Sequence, residues 1–219
     1  MGKLFAIGEA LIDFIPQDTD CGISEVTAFR PKVGGAPANV CGAFTKLGGK
    51  SALITQLGAD PFGDKIEKEL QSFGIETTYV RRTEEANTSL AFVALKADGN
   101  REFSFYRKPG ADMLYDAGNV EESWFEGAFA LHFCSVSLGD FPMKEAHRRA
   151  ALCARNKGAI ISFDPNLRRN LWSSDEALLA AVKDFLPLAD ILKVSDEEIA
   201  FITGKQEITE ALPELFRGE

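Results

Sequence analysis

The sequence predicts an α/β fold in which a mainly parallel sheet is flanked by helices and carries a small additional β-sheet. Short apolar runs alternate with helix-like segments along most of the 219 residues, a rhythm typical of parallel strands joined by crossover helices. Two stretches interrupt that rhythm with strand-like runs that have no helix between them. A chain of this length that is 45% hydrophobic can bury one sizeable core.

Five short apolar runs predict the buried strands of the main sheet. They are Leu4–Gly8, Ala52–Gln56, Phe129–Ser135, Ile160–Asp164 and Ile191–Ser195. Five further segments predict helices from apolar periodicity and from signals at their ends. They are Ala36–Leu47, Pro61–Phe73, Pro142–Lys157, Ser174–Leu186 and Asp196–Thr203. Pro142 suits the first turn of its helix, while Gly48 and Gly204 follow two of the helices as stop signals.

The two irregular stretches predict a small β-sheet. Residues 10–32 contain strand-like runs at Leu11–Ile15 and Val26–Arg30, and residues 88–108 read as a hairpin of Ser89–Lys96 and Arg101–Arg107. An Asp98-Gly99 pair between the hairpin strands favours a tight turn. We expect these strands to cover a site at the edge of the main sheet as a lid.

Composition narrows the classes of function. The formal net charge of −9 disfavours nucleic acid and anionic membranes as partners. No apolar run reaches the roughly 18 residues of a membrane span, and the N-terminus turns polar too soon for a signal peptide. Four widely spaced cysteines predict reduced thiols in a cytoplasmic protein. With only two histidines, a His/Cys metal site is not predicted.

A glycine-rich turn is the first candidate binding element. Gly34 and Gly35 lead directly into the first predicted helix, where backbone N–H groups can approach ligand oxygens without an intervening Cβ. Asn39 adds a side-chain donor and acceptor one turn later. An ordinary loop-to-helix turn remains the alternative. The turn lacks the dinucleotide fingerprint, and Gly49-Lys50-Ser51 fails the P-loop pattern because Phe44 stands where its first glycine should be.

A longer pattern around that turn resembles the N-terminal signature of the PfkB, or ribokinase-like, carbohydrate kinases, and fructokinases in particular. The matching strings are Gly34-Gly35-Ala36-Pro37-Ala38-Asn39-Val40, Lys46-Leu47-Gly48-Gly49 and Leu57-Gly58-Ala59-Asp60-Pro61-Phe62-Gly63. The resemblance implies that the turn, with Gly34, Gly35 and Asn39, binds sugar hydroxyls. It also implies that Asp13 holds the secondary hydroxyls, a role that suits a carboxylate because it accepts two hydrogen bonds.

The second hairpin strand predicts further sugar contacts. Strand alternation would place Phe103, Phe105 and Arg107 on one face, and a surface strand with an apolar stripe is the alternative. In the fructokinase-like members of the family a similar aromatic–Tyr–Arg run touches the sugar, which assigns Phe105 and Arg107 to substrate binding. By the same resemblance the lid makes a dimer contact, so we expect a homodimer.

Two later motifs predict contacts to ATP and to the phosphoryl group that it transfers. Asp164-Pro165-Asn166-Leu167-Arg168 follows a predicted strand, where ligands of open α/β sheets bind, although a capped turn would also explain it. The resemblance implies that Arg168 stabilises the transferring phosphoryl group and that Asn166, Lys193 and Ser195 bind ATP. Glu198 would organise Mg²⁺ through water. Independently, Ser195 and Glu198 predict a capping box.

The chemical step predicted by the resemblance is transfer of the γ-phosphate of Mg-ATP to a primary hydroxyl of fructose. Kinases of 2-keto-3-deoxygluconate, aminoimidazole riboside or ribose, and a non-catalytic sugar-binding remnant, remain alternatives. The family's base lies in a Gly-Ala-Gly-Asp motif that does not occur here. We therefore interpret residues 1–219 as a partial ribokinase-like domain that is inactive alone, with the base and a K⁺ loop in a missing C-terminal part.

Overall fold

The computed structural model of the protein describes residues 2–95 and 101–215. It contains a six-stranded sheet with the strand order β10-β9-β8-β1-β4-β5 and a four-stranded sheet with the order β3-β2-β6-β7. All neighbouring strands of the large sheet pair in parallel. The predicted fold class, a mainly parallel sheet with helices and a separate small sheet, is confirmed.

The large sheet is built from short strands whose apolar side chains are buried on both faces. Its six strands are β1 (Lys3–Ile7), β4 (Ser51–Gly58), β5 (Val80–Thr83), β8 (Ala128–Cys134), β9 (Ile160–Asp164) and β10 (Ile191–Leu192). Every residue of β4 is buried, as expected for a central strand covered by helices on both sides. β5 was not predicted, because its sequence Val-Arg-Arg-Thr has no apolar run.

Six α-helices lie in the described part of the chain, and most of them flank this sheet. They are α1 (Ala36–Lys46), α2 (Pro61–Ser72), α3 (Pro142–Asn156), α4 (Asp175–Phe185), α5 (Asp196–Thr203) and α6 (Ile208–Leu215). Two clusters of buried apolar side chains lie on opposite faces of the large sheet. One packs α3 and α4 on the sheet, around residues such as Phe133 and Phe185, and the other packs α1 and α2 on the opposite face, around Cys41 and Ile66. The sequence did not predict α6.

The small sheet contains β2 (Leu11–Pro16), β3 (Phe29–Gly34), β6 (Leu90–Leu95) and β7 (Arg101–Tyr106). β2 pairs antiparallel with β3 and parallel with β6, and β6 pairs antiparallel with β7. β3 begins three residues later and ends four residues later than the predicted strand Val26–Arg30. Gly34 is therefore the last residue of a strand, and Gly35 forms the turn before α1. The predicted Asp98-Gly99 turn lies outside the described residues.

One carboxylate ties α2 to the small sheet. Asp60 is the N-cap of α2, where its Oδ1 accepts a hydrogen bond from the Gly63 N–H at 2.8 Å, and its Oδ2 accepts one from the Thr88 N–H at 2.7 Å. A Cβ on Gly58 would lie 2.2 Å from Asp60 Oδ2. The string Gly58-Ala59-Asp60-Pro61-Phe62-Gly63 is therefore explained by packing and capping.

Within residues 2–95 and 101–215, no helix is long and apolar enough to cross a membrane. All four cysteines are free thiols, and three of them are buried. The predicted strand at Ile191–Ser195 is only two residues long, because Ser195 leaves the strand to cap α5.

Candidate functional site

The main cavity lies where the carboxyl ends of β1, β8 and β9 face the small sheet. Its volume is about 560 Å³, which suits a small ligand. The polar part of its lining comprises Glu9, Asp13, Asp18, Thr19, Asn39, Asn166 and Arg168. Apolar walls come from the small sheet and from the segments that follow β8 and β9, which contribute Val136 and Leu171. Several predicted site residues from distant parts of the sequence therefore share one cavity: Asp13, Gly35, Asn39, Phe105, Asn166 and Arg168.

Asp13 presents a half-buried carboxylate to the main cavity. It lies on β2 beside Gly34, where a Cβ would come within 2.0 Å of Asp13 Oδ2. Burial raises the pKa of Asp13, although the positive charge of Arg168 opposes the shift. In the described part of the chain, no hydrogen bond occupies this carboxylate. Asp13 therefore keeps acceptor capacity for a ligand, and Gly34 provides the space that it needs.

The turn before α1 brings backbone close to the cavity. Gly35 has a φ of 106°, a conformation that favours glycine, and a Cβ there would lie 2.4 Å from the Glu9 carbonyl oxygen. Asn39, one turn into α1, is exposed and lines the cavity. The glycine turn, Asn39 and Asp13 thus line one cavity, and their roles in sugar binding stay predictions.

Glu9 is a cavity residue that the sequence did not single out. Its carboxylate is only 2% exposed and accepts hydrogen bonds from the Ala36 N–H at 3.0 Å and the Ser137 hydroxyl at 3.1 Å. Burial raises its pKa, while Arg107 lowers it. The sequence could have indicated Glu9 because it is an acidic residue directly after a predicted buried strand. Its burial could not be predicted, because it depends on a hydrogen bond from the distant Ser137.

The small sheet separates its side chains between two faces. Phe103 and Phe105 line the main cavity, with their rings stacked at 5.9 Å, as the strand alternation predicted. Arg107 lines a neighbouring cavity of about 600 Å³ together with Phe103 and Phe105, so the three residues do share a wall, as expected, and the predicted role of Arg107 in substrate binding stays a prediction. β7 ends at Tyr106, and Arg107 is not among the residues that line the main cavity, while its guanidinium forms a buried ion pair with Asp112.

The loop after β9 supplies the second polar wall. Asn166 adopts a left-handed conformation with a φ of 44°, and its N–H donates to Asp164 Oδ1 at 3.1 Å. This capped turn directs Asn166 and Arg168 to the cavity lining. The capping expected of Asp164 and the site predicted for Asn166 and Arg168 are therefore parts of the same loop.

The remaining predicted residues are Lys193, Ser195 and Glu198. Together with Asp164 they form a separate group, which we call the loop-end cluster. Lys193 Nζ lies 3.4 Å from Asp164 Oδ2 in an exposed ion pair. The capping box of α5 is confirmed, because the Glu198 N–H donates to Ser195 Oγ and the Ser195 N–H donates to Glu198 Oε2. Burial raises the pKa of Asp164, and Lys193 opposes that shift.

The loop-end cluster does not form a metal site by itself. Each Glu198 oxygen already accepts a backbone hydrogen bond, from Leu167 at 3.0 Å and from Ser195 at 2.8 Å. Among the residues that the structure describes, no group of three or more acidic, histidine or cysteine side chains could hold a metal ion. The water-mediated Mg²⁺ role of Glu198 stays a prediction.

Comparison with known proteins identifies the family. Residues 1–217 match the family described as "pfkB family carbohydrate kinase". The chain belongs to that family. This PfkB chain is 44% identical over 200 residues to a probable fructokinase-5 of Arabidopsis thaliana and 42% identical over 207 residues to fructokinase-2 of Solanum lycopersicum. These matches cover 91% and 94% of the chain but only 62% and 63% of the relatives.

Solved structures agree with this assignment. A fructokinase of Xylella fastidiosa with bound ATP superimposes with a TM-score of 0.89 at 36% identity, covering 99% of this chain and 69% of that one. A double mutant of fructokinase from Vibrio cholerae O395, with fructose, ADP and potassium bound, gives 0.82 at 32% identity, with coverages of 97% and 66%. The PfkB chain thus spans about two thirds of such proteins.

Proposed function

We propose that this PfkB chain forms the sugar-binding part of an ATP-dependent fructokinase. The observation that carries the proposal is the Asp13 carboxylate, which faces a sugar-sized cavity with free acceptor capacity beside Gly35 and Asn39. A carboxylate of this kind can accept hydrogen bonds from two neighbouring hydroxyls at once. Phe105 offers an apolar ring for the carbon face of the sugar.

The charges around the cavity favour a neutral sugar. Glu9, Asp13 and Asp18 are acidic, whereas Arg168 is the basic residue of the lining. A sugar acid such as 2-keto-3-deoxygluconate would bring a further carboxylate among them, and like charges in a partly desolvated site repel one another. Among neutral sugars, the fructokinase names of the relatives favour fructose over ribose.

The chemistry that we propose is the attack of a primary hydroxyl oxygen of fructose on the γ-phosphorus of Mg-ATP. The new P–O bond forms as the bond to ADP breaks, and the hydroxyl proton passes to a general base. Arg168 would stabilise the phosphoryl charge, while Asn166, Lys193 and Ser195 would bind ATP. Because no Gly-Ala-Gly-Asp motif occurs in residues 1–219, this chain alone would bind the sugar without phosphorylating it.

Binding and turnover test the proposal separately. Calorimetry of the 219-residue chain with fructose, ribose, aminoimidazole riboside and 2-keto-3-deoxygluconate should show the tightest binding for fructose and the weakest for the sugar acid. The product of the complete gene should release ADP with fructose and Mg-ATP. Binding without turnover by that product would favour a sugar-binding remnant, whereas binding of none of the four sugars would overturn the assignment.

The assembly expected from the resemblance is also a proposal. The small-sheet face opposite the cavity carries Phe14, Phe29, Phe92 and Tyr106 in mutual ring contact, and Tyr106 is 65% exposed. An aromatic cluster with three half-buried rings and one exposed ring suits a protein interface. Light scattering should give twice the 23.9 kDa chain mass, and Tyr106→Glu should restore the monomer.

The cytoplasmic location stays a prediction.

A further inference from the structure

A buried polar network runs behind the main cavity and joins the large sheet to the small one. We call its members, Glu9, Ser137, Arg107, Asp112 and Ser89, the buried network. Each of the five residues is at most 7% exposed. Polar groups this deeply buried are costly unless each is hydrogen-bonded, so the contacts among them are strongly constrained.

The contacts form a continuous relay. The Ser137 hydroxyl donates to Glu9 Oε2 at 3.1 Å and accepts from Arg107 Nη2 at 2.9 Å. Arg107 Nε donates to Asp112 Oδ2 at 2.9 Å, and Arg107 Nη1 donates to the Val136 carbonyl at 3.2 Å. The Ser89 hydroxyl donates to Asp112. Each step of this path is a direct hydrogen bond between two protein atoms.

The relay joins elements that are far apart in sequence. Glu9 follows β1, lines the main cavity and accepts the Ala36 N–H of the glycine turn. Ser137 follows β8. Arg107 follows β7, and Ser89 precedes β6, so both belong to the frame of the small sheet. A shift of the small sheet against the cavity floor must therefore stretch the Ser137 bridge.

The charges make the bridge sensitive to geometry. Glu9 and Asp112 are two buried carboxylates that share one buried guanidinium, that of Arg107. Asp112 takes the direct ion pair, and Glu9 reaches the guanidinium only through the Ser137 hydroxyl. Without that hydroxyl, Glu9 would lose its hydrogen-bonded link to the guanidinium and keep backbone donors such as the Ala36 N–H, and a buried carboxylate that loses a donor is less well stabilised.

We propose that Glu9 is a positioning residue that couples sugar binding in the main cavity to the placement of the small sheet, through Ser137 and Arg107. The coupling rests on the proposed function, because it presupposes that a sugar occupies the cavity. A sugar held by Asp13 of β2 and by the glycine turn would bridge the same two parts that the relay joins, the small sheet and the turn that Glu9 holds. Its binding and the ordering of β6 and β7 therefore favour each other.

Two neighbouring serines provide a matched test. Ser135 and Ser137 are both fully buried in the same short turn, but the Ser135 hydroxyl has no hydrogen-bond partner among the described residues. Ser137→Ala removes the bridge, and Ser135→Ala removes a hydroxyl of equal burial outside the network. For the 219-residue chain, fructose affinity is measured by calorimetry, and amide hydrogen exchange in β6 and β7 is measured with and without fructose.

The expected result separates the two variants. Ser137→Ala should raise the Kd for fructose about fivefold, the equivalent of one hydrogen bond, and should abolish the slowing of β6 and β7 exchange by fructose. Ser135→Ala should match the unaltered chain in both measurements. If Ser137→Ala keeps the fructose-dependent slowing seen with Ser135→Ala, the coupling is wrong while the proposed function stands.

Failure of the proposed function would look different. If the unaltered chain binds none of the four sugars, the proposed function falls and the coupling falls with it. A loss of fold is recognised by far-UV circular dichroism, and Glu9→Gln then serves as the second variant because it keeps the side-chain shape. Glu9→Gln should weaken fructose binding and reduce the fructose-dependent slowing of exchange in β6 and β7, and an unchanged slowing would overturn the coupling.

Discussion

The main cavity and the loop-end cluster both lie at the carboxyl edge of the large sheet, yet their polar groups are used differently. In the main cavity, Asp13 and Asn39 face open space with acceptors and donors to spare. In the loop-end cluster, Lys193 pairs with Asp164, and both oxygens of Glu198 accept backbone N–H groups. The first region is prepared for a ligand, whereas the second mainly holds its own loops together.

The largest effect that would sharpen this comparison is expected from Asp13→Asn. The amide keeps the size of the side chain but loses the charge and one acceptor, so two charge-assisted hydrogen bonds to the sugar are weakened. We expect fructose affinity to fall about 100-fold, since each such bond contributes roughly 1.5–3 kcal/mol. Calorimetry measures this. Asp116→Asn, an exposed position outside the cavity lining, is the control and should bind normally.

The second effect is the pH dependence of fructose binding. Burial raises the folded-state pKa of Asp13 above its ordinary value of 3.8, so the ionised carboxylate reduces stability at neutral pH, and that penalty disappears as the pH falls through the raised pKa. Binding requires the ionised form and should weaken over the same range. Kd values measured from neutral pH downwards should rise, and Asp13→Asn should give a much flatter profile.

Gly34→Ala should have an intermediate effect. The added Cβ would lie 2.0 Å from Asp13 Oδ2, so the carboxylate must move, and we expect fructose affinity to fall about tenfold, the equivalent of 1.4 kcal/mol. Gly42→Ala is the matched control, because a Cβ there meets nothing within 4 Å. In a helix interior this control should raise stability by about 0.5–1 kcal/mol. Equal affinities for both variants would contradict the steric argument.

The smallest effects on the sugar are expected in the loop-end cluster. Glu198→Ala removes the acceptor for the Leu167 and Ser195 N–H groups and should lower the free energy of unfolding by about 1–2 kcal/mol, with fructose affinity changed less than about twofold. Lys193→Met removes an exposed ion pair and should change stability by less than about 0.5 kcal/mol. Chemical denaturation measures both. A large loss of fructose affinity in Glu198→Ala would remove the distinction between the regions.

The sequence was informative wherever a local pattern determines local structure. β9 and α5 have the predicted ends, and the Ser195–Glu198 capping box formed because its signal spans only four residues. β5 was missed because its two arginines hide its strand character, and β3 was misplaced because the pairing with β2, rather than local propensity, sets its register. Parallel pairing in the large sheet followed from the strand–helix rhythm.

In the candidate site, too, the sequence predicted the features that depend on local pattern and missed those that depend on tertiary contacts. Asp13, Gly35 and Asn39 were found by pattern and resemblance, and they meet in one cavity. Glu9 escaped notice, and the ion pair of Arg107 could not be predicted, because these contacts depend on Ser137 and on Asp112, which lie far along the chain or beyond the end of the strand. Burial of a charged side chain is decided by the partner that tertiary structure brings to it, and alternation along one strand cannot show that partner.

The two hydrogen bonds of Asp60 affect how inactive variants of this protein should be interpreted in a genetic screen. One bond begins α2 and the other fixes Thr88, just ahead of the small sheet. A substitution at Asp60 would therefore loosen a wall of the main cavity without touching anything inside it. In an activity assay such a variant would resemble a substrate-binding mutant, and only a stability measurement would reveal that its defect is architectural.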